Sequence, residues 1–164
     1  MRPIIFAHRG GAALAPENTM PAFDNGLACG ADGLECDVHL SRDGVPVVIH
    51  DPTVDRTTNG TGAVADLTAA TLAALDAGYR FTRDGAFPFR GRGLGVPALR
   101  DVFDRFPHVP LLVELKSADP ELVPLVVDEI RAVGGIGRIT VGSFLHGALD
   151  AVRACEPRIR TGAH

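Results

Sequence analysis

Residues 34–51 read LECDVHLSRDGVPVVIHD, and this stretch decides how the chain folds. Two strand-like runs, 34–40 and 46–49, flank Ser41-Arg42-Asp43-Gly44, which is a turn signal. Only about eight residues join the strand at Glu35 to the one that ends at His50, whereas a parallel crossover normally needs about a dozen or more. Local rules therefore predict a hairpin here.

Strand-like and helix-like runs alternate on both sides of that stretch. The apolar run 4–7 precedes a helix predicted over 19–29, with Thr19 as its N-cap. Further along, the sequence predicts helices over 97–106, 119–133 (with Asp119 as N-cap) and 145–154, and strands over 110–115, 139–141 and from residue 159. This order predicts an α/β fold with parallel strands and helical crossovers.

The pattern weakens over residues 52–95, which are rich in turn residues, glycine and arginine. Thr68 is a suitable cap for a short helix that ends near residue 77. We interpret 52–95 as an insertion between core elements, and residues 1–164 as one domain.

Composition and charge narrow the class of protein. The 164 residues are 46% hydrophobic and 22% charged, as in ordinary globular proteins. The net charge of −4, without a basic block, argues against a nucleic-acid partner. The apolar run 3–7 is too short for a signal peptide or a membrane span. The three cysteines have no C-x-x-C spacing, which favours a reducing compartment. We therefore expect a cytoplasmic protein without stable membrane insertion.

Residues that can carry chemistry gather at the ends of the predicted strands. His8 and Arg9 follow the first strand, and His50 and Asp51 follow the third. These four residues therefore lie at the ends of two predicted strands.

Two further strands each present a pair of charged side chains. Side chains alternate along a strand, so Glu35 and Asp37 share one face, as do Glu114 and Lys116. Burying carboxylates together costs several kcal/mol unless a cation lies between them. Oxygen ligands suit a hard cation such as Mg²⁺ or Ca²⁺. The pattern therefore indicates a divalent-cation site.

Each of these motifs also has a simpler explanation. An E-x-D pair is usually a solvated strand end, and a lone H-D pair is usually part of a turn. Glu114 and Lys116 could form a plain ion pair worth about 0–1 kcal/mol. The coincidence of complementary residues at four strand ends favours a functional site. His39, His108 and His146 have no partner in the pattern, and we interpret them as structural or solvent-exposed.

Six motifs occur in order: HRGG at 8–11, PENT at 16–19, ECDV at 35–38, HD at 50–51, RTT at 56–58 and ELK at 114–116. This series resembles the signature of the glycerophosphodiester phosphodiesterase family, over residues 4–144. The resemblance implies a (β/α)8 TIM barrel of the phosphodiesterase type, with about five to six βα units in this chain. It also implies that 52–95 is the family's insertion. It further implies that the second unit lacks its helix, which would replace the hairpin before His50.

The resemblance implies roles for seven residues: Glu35, Asp37 and Glu114 as metal ligands, His8 and His50 as general acid and base, and Arg9 and Lys116 as phosphate contacts. The implied cofactor is Mg²⁺, Ca²⁺ or Mn²⁺, with no choice among them. The implied reaction is metal-dependent hydrolysis of a glycerophosphodiester to glycerol 3-phosphate and an alcohol. Which histidine is the acid stays open, as does the alcohol.

Two other functions stay open. The first is a related barrel phosphodiesterase that acts on lysophospholipids, such as a lysophospholipase D-like or sphingomyelinase D-like enzyme. The second is an inactive fragment that only binds phosphate or metal, because 164 residues are about a third fewer than the ~250 of a typical (β/α)8 barrel. We expect either a C-terminally truncated sequence or open sheet edges that a partner must cover. The sequence does not decide the oligomeric state.

Overall fold

The structure is a computed structural model that describes residues 2–163. Its strands are β1 (Phe6–Ala7), β2 (Gly33–Leu40), β3 (Pro46–Val48), β4 (Leu111–Leu115), β5 (Ile139–Ser143) and β6 (Arg160–Ala163). Its helices are α1 (Met20–Ala28), α2 (Ala69–Ala74), α3 (Leu99–Arg105), α4 (Leu122–Ala132) and α5 (His146–Cys155). The predicted alternation is confirmed, with boundaries that differ by at most three residues.

One sheet organises the chain. Its parallel strands follow the order β1-β2-β4-β5-β6, and helices connect β4 to β5 and β5 to β6. The register of β2 and β4 places Asp37 directly beside Glu114. This order, with a helix between successive parallel strands, is that of part of a (β/α)8 barrel. Within residues 2–163 the sheet is open rather than closed into a barrel.

Strand β3 reverses direction and pairs with the end of β2. Val38 lies opposite Val48, and Leu40 lies opposite Pro46, in an antiparallel ladder. The hairpin predicted from the short link is therefore confirmed. The family resemblance implies a second barrel unit without its helix in place of this hairpin. That expectation is wrong for the link between β2 and β3. Residues 41–45 are too few to carry the chain back to the start of a parallel strand.

The main core lies between the sheet and the helices α1, α3, α4 and α5. Leu34, Cys36 and Val38 of β2 point into it and are fully buried. The helices contribute large buried side chains, among them Phe23, Phe103, Val126 and Ile130. Because side chains alternate along β2, residues 35 and 37 face the other side of the sheet, as predicted.

A second apolar cluster packs beneath residues 52–96. Val47 and Ile49 join Val54, Val64, Leu72, Ala77 and Val96 in it. Val48 belongs instead to the main core, so the alternation along β3 connects the two clusters. The segment leaves the sheet after β3 and returns beside it, where Ala98 bridges to Val47. That 52–95 is an insertion within the barrel stays a prediction.

Helix α4 begins later than the sequence predicts. Glu121, not Asp119, occupies its N-cap position. The Asp119 carboxylate instead accepts a hydrogen bond from the backbone N–H of Glu121 at 2.9 Å. Asp119 thus forms a local turn with the residue two positions on, a structure that competes with capping.

None of the helices within residues 2–163 has the length and apolar character needed to cross a bilayer. The longest of the named helices, α4, has 11 residues, whereas a span needs about 20. Met1 and His164 lie outside the described residues. The cytoplasmic location stays a prediction.

Gly26 of α1 sets the distance between this helix and the chain that follows β1. A Cβ atom on Gly26 would lie 2.6 Å from the Ala7 Cβ and 2.7 Å from the Gly10 carbonyl oxygen. Alanine normally stabilises a helix by about 1 kcal/mol over glycine, but overpacking costs about 1–3 kcal/mol. We therefore expect Gly26→Ala to lower the free energy of unfolding by about 1 kcal/mol, measured by urea denaturation.

Gly147→Ala in α5 is the matched control, because nothing lies within 4 Å of a Cβ atom added there. This variant should leave the free energy of unfolding unchanged or raise it. If both substitutions had the same effect, α1 would not rest against the chain that follows β1.

Candidate active site

Three carboxylates meet on the face of the sheet opposite the main core. Glu35 and Asp37 come from β2, and Glu114 comes from β4. Their exposed fractions are 4%, 0% and 6%, and one oxygen of each lies within 4.8 Å of the others. Glu35 and Asp37 lie inside β2 rather than at its end, because β2 continues to Leu40 in order to pair with β3.

Two cations contact these carboxylates. The Lys116 Nζ atom lies 2.6 Å from Glu114 Oε1 and 3.1 Å from Asp37 Oδ1. Arg9 Nε lies 3.2 Å from Asp37 Oδ2, and the Arg9 backbone N–H donates to Glu35 Oε2 at 2.7 Å. Burial lowers the pKa of Lys116, but its contacts with Glu114 and Asp37 outweigh burial and raise that pKa. Three acidic groups thus face two basic ones.

The excess of acidic groups changes the pKa of Glu35. Burial, followed by the charge of Asp37, raises the pKa of Glu35 to about 7. Glu35 Oε1 is buried and accepts no hydrogen bond, whereas the buried Asp37 Oδ1 has the Lys116 ammonium 3.1 Å away. A buried carboxylate oxygen without a donor is a ready-made ligand for a hard cation such as Mg²⁺ or Ca²⁺. These three residues therefore fit a divalent metal ion and could hold one.

Close packing places His8 and Arg9 at the end of β1. A short 3-10 turn, His8–Gly10, directly follows that strand, and the His8 side chain is exposed. A Cβ atom on Gly10 would lie 2.7 Å from the backbone of Ala22 and Phe23, so only glycine lets the turn approach α1 this closely. The close packing of Gly10 in the HRGG motif therefore fixes the backbone that carries His8 and Arg9.

Asn18 orients Asp37 from a loop. Its Nδ2 donates to Asp37 Oδ2 at 2.8 Å, and its Oδ1 accepts from the Asp37 backbone N–H at 3.3 Å. Both Asn18 (φ 58°) and Arg9 (φ 51°) have left-handed backbone conformations, and the Arg9 carbonyl accepts from the Asn18 N–H at 3.0 Å. This bond joins the two strained residues and supports both against the carboxylates.

His50 follows the hairpin strand and lies next to the same cluster. The N–H of Ile49 donates to the Asp37 carbonyl at 3.0 Å, which fixes this chain against β2. His50 Nδ1 lies 2.7 Å from Asp51 Oδ1, and this contact favours the tautomer with its proton on Nδ1. The His50 carbonyl lies 3.0 Å from Nε2 of the buried His39, so His39 is structural.

Arg56 joins Asp51 to Glu17. Its Nε lies 2.6 Å from Asp51 Oδ2, and its two Nη atoms lie 2.7 and 2.8 Å from the Glu17 oxygens. Glu17 also accepts from Arg9 at 3.1 Å. The hydrogen bond from Arg56 holds the pKa of Asp51 well below its usual value. Burial alone would raise the pKa of Glu17, but the contacts with Arg56 and Arg9 outweigh burial and lower this pKa. Ion pairs therefore connect Arg9 with Asp51, and the hydrogen bond between Asp51 and His50 continues this series of contacts to His50.

The PENT and RTT motifs contain Glu17, Asn18 and Arg56, but sequence patterns alone predict no role for these three residues. Their contacts depend on loop conformation, which strand and helix patterns do not specify. His108 and His146 are exposed and lie outside this cluster. The structure brings together Glu35, Asp37 and Glu114 with Arg9 and Lys116. His8 follows β1, and His50 follows β3.

A family model described as the glycerophosphoryl diester phosphodiesterase family matches residues 8–162. The chain belongs to the glycerophosphoryl diester phosphodiesterase family. The resemblance found in the motifs is therefore confirmed.

Three relatives illustrate the match. A glycerophosphodiester phosphodiesterase of Caldanaerobacter subterraneus is 38% identical, over 99% of this chain and 66% of the relative. The solved glycerophosphoryl diester phosphodiesterase domain of a Mycobacterium tuberculosis protein has a TM-score of 0.90 and 32% identity, over 99% of this chain and 60% of that one. An Oleispira antarctica phosphodiesterase, solved with the product sn-glycerol-3-phosphate, has a TM-score of 0.83 and 29% identity, over 98% and 65%.

These similarities confirm the predicted fold class, because the described residues superpose on part of the phosphodiesterase barrel. The chain spans 60 to 66% of the length of these three relatives.

The raised pKa of Glu35 predicts that the stability of the metal-free family member depends on pH. Glu35 has a pKa of about 7 in the folded chain against an ordinary value of 4.5, so the folded chain holds this proton more tightly. The protonated Glu35 therefore stabilises the folded chain fully below about pH 4.5, and this stabilisation is lost as the pH rises through about 7. We expect the free energy of unfolding in EDTA to fall by on the order of 2 kcal/mol between about pH 5 and pH 8.

Glu35→Gln is the control for this pH dependence, because it removes the titrating group and retains Asp37, Glu114, Arg9 and Lys116 around it. Its urea denaturation midpoints should vary much less over the same pH range. An equally steep profile in Glu35→Gln would assign the effect to another group.

Proposed function

We propose that this chain hydrolyses glycerophosphodiesters to glycerol 3-phosphate and an alcohol, in a reaction that depends on a divalent metal ion. The observation that carries the proposal is the buried triad of Glu35, Asp37 and Glu114, in which Glu35 Oε1 accepts no hydrogen bond. Relatives named glycerophosphodiester phosphodiesterase support it. The sn-glycerol-3-phosphate bound to the Oleispira antarctica enzyme also supports it.

Glu35, Asp37 and Glu114 are the proposed ligands of Mg²⁺, Ca²⁺ or Mn²⁺, all of which accept carboxylate oxygens. A bound cation of this kind stabilises the negative charge on a phosphoryl oxygen by several kcal/mol. Asn18 donates to Asp37 Oδ2 and so holds this carboxylate in place beside Glu35 and Glu114.

Arg9 and Lys116 are the proposed contacts of the substrate phosphate. A guanidinium offers a planar fork of donors that matches phosphate, and an ammonium adds a compact charge. Their side chains are 18% and 16% exposed, so both are anchored by carboxylates and still reachable from solvent. This arrangement fixes the two cations before the substrate arrives, which lowers the cost of ordering them on binding.

His8 and His50 are the proposed general acid and base. An imidazole suits both roles because its reference pKa of about 6.5 lies near working pH. One histidine takes a proton from the attacking oxygen, and the other donates a proton to the oxygen of the leaving alcohol. Asp51, held by Arg56, orients His50 through Nδ1 and directs Nε2 to this chemistry.

A groove of about 620 Å³ favours a second candidate function. It lies between the loops after β4 and β5, and its lining includes Val123, Leu145 and Ala148. Phe144 also lines it, and the Lys116 Nζ lies 5.9 Å from the centre of the Phe144 ring. An apolar groove beside a proposed phosphate contact could take the acyl chain of a lysophospholipid. A lysophospholipase D-like activity is therefore the alternative.

A substrate panel separates these functions. We expect the full chain to release glycerol 3-phosphate from glycerophosphocholine and glycerophosphoethanolamine, to lose this activity in EDTA, and to regain it with Mg²⁺, Ca²⁺ or Mn²⁺. Glu35→Gln should lower kcat/KM by about 10²-fold or more, because it removes a charged metal ligand. Glu121→Gln changes an exposed glutamate in the same way and should leave kcat/KM unchanged.

Faster hydrolysis of lysophosphatidylcholine than of either glycerophosphodiester would instead support the alternative function. If the chain hydrolysed none of the three substrates with any of the metals, both enzymatic functions would be contradicted. A chain that only binds phosphate or metal would then be the remaining explanation.

The two histidines are tested separately. We expect His8→Ala and His50→Ala each to lower kcat by about 10²–10⁴-fold, the usual range for general acid–base catalysis. His108→Ala, in an exposed loop before β4, should retain the parent rate. A residue whose replacement leaves kcat at the parent value has no place in the mechanism.

A further inference from the structure

A cavity of about 320 Å³ lies between the loop after β1 and the segment 56–82. Its lining includes Ala13, Glu17, Arg56, Thr57, Arg80 and Phe81. A smaller cavity lined by His50 shares Glu17, Thr57 and Ala77 with it, so the larger cavity adjoins this histidine. The carboxylate triad and Lys116 do not line it.

We propose that this cavity binds the alcohol part of the substrate, and that Arg80 selects alcohols that carry a carboxylate or a phosphate. The inference rests on the proposed function, in which His50 exchanges a proton at an ester oxygen. An alcohol whose ester oxygen lies at His50 would extend toward the larger cavity, because Glu17, Thr57 and Ala77 line both that cavity and the smaller one at His50.

The charges that line the cavity favour an anionic group. Glu17 is paired with both Arg9 and Arg56. Arg56 is in turn paired with Asp51, so carboxylate oxygens take four of its five N–H donors and two carboxylates balance its charge. Arg80 is the remaining charged side chain in the lining, and no carboxylate of residues 2–163 lies within ion-pair distance of it. The cavity therefore carries one uncompensated positive charge.

The position of Arg80 suits recognition of a planar or tetrahedral oxyanion. Its Nε donates to the Thr58 carbonyl at 3.2 Å, and its guanidinium lies 5.6 Å from the centre of the Tyr79 ring. These contacts anchor one edge of the guanidinium and leave its Nη donors to a ligand. A carboxylate or phosphate can accept two parallel hydrogen bonds from that fork. A quaternary ammonium group would instead meet a like charge.

Binding measurements with two matched ligand pairs test the inference. Glycerophosphoserine and glycerophosphoethanolamine differ by one carboxylate, and glycerophosphoinositol 4-phosphate and glycerophosphoinositol differ by one phosphate. Isothermal titration calorimetry of the full chain in EDTA gives the Kd ratio within each pair without turnover. We expect the anionic member of at least one pair to bind about threefold to tenfold more tightly, since Arg80 is solvent-exposed. The pair that shows the preference identifies the anionic group.

Variants of Arg80 assign the preference to this side chain. Arg80→Ala should bring the Kd ratio close to one, and Arg80→Lys should retain part of the preference because it keeps the charge. Arg83→Ala, an exposed arginine outside the cavity, should leave the ratio unchanged. Equal Kd values within both pairs, no binding of any ligand, or a preference that survives Arg80→Ala would each overturn the inference.

The same preparations distinguish this inference from the proposed function. Hydrolysis of glycerophosphodiesters with metal, without an Arg80-dependent preference, would support the proposed function and contradict the inference. The preference in EDTA, without hydrolysis of any glycerophosphodiester by the chain with any metal, would support the cavity assignment and contradict the proposed function.

Discussion

Three carboxylates are buried at one point of the sheet, and the pairing of β2 with β4 leaves them no way to separate. Buried like charges cost several kcal/mol unless cations compensate them. Arg9 and Lys116 supply two charges, and the remaining deficit raises the pKa of Glu35 to about 7. The fold thus keeps a site that a divalent cation would complete, and the neighbouring loops are arranged around this unbalanced charge.

Two loop residues that donate hydrogen bonds to these carboxylates have strained backbone conformations. Arg9 and Asn18 have left-handed backbone conformations, and each donates to a carboxylate of β2. Such conformations cost on the order of 1–3 kcal/mol each and persist only where surrounding contacts enforce them. The close approach of Gly10 and Gly26 between the β1 turn and α1 provides that enforcement. Packing at α1 and electrostatics at the triad therefore depend on one another.

The sequence specifies those parts of the molecule that local rules determine. Strand and helix periodicity predicts the element order, and alternation along β2 predicts that Glu35 and Asp37 share a face. The ion pair of Glu17 with Arg56 joins residues 39 positions apart in two loops, and no local pattern encodes such a contact. At the β2–β3 link the length of the connection predicts the hairpin correctly, and the expectation taken from the family resemblance is wrong.

Burial divides the site into two parts that can change independently. Interactions among the triad, Arg9 and Lys116 are strong because these groups are shielded from water, so a change in any of them disturbs the others. Arg80 is exposed, and its contacts go to Thr58 and Tyr79 rather than to the triad. Its charge is screened by solvent and couples weakly to the carboxylates. Substitution at position 80 can therefore alter the choice of alcohol without altering the groups proposed to act on the phosphate, which is common to every glycerophosphodiester.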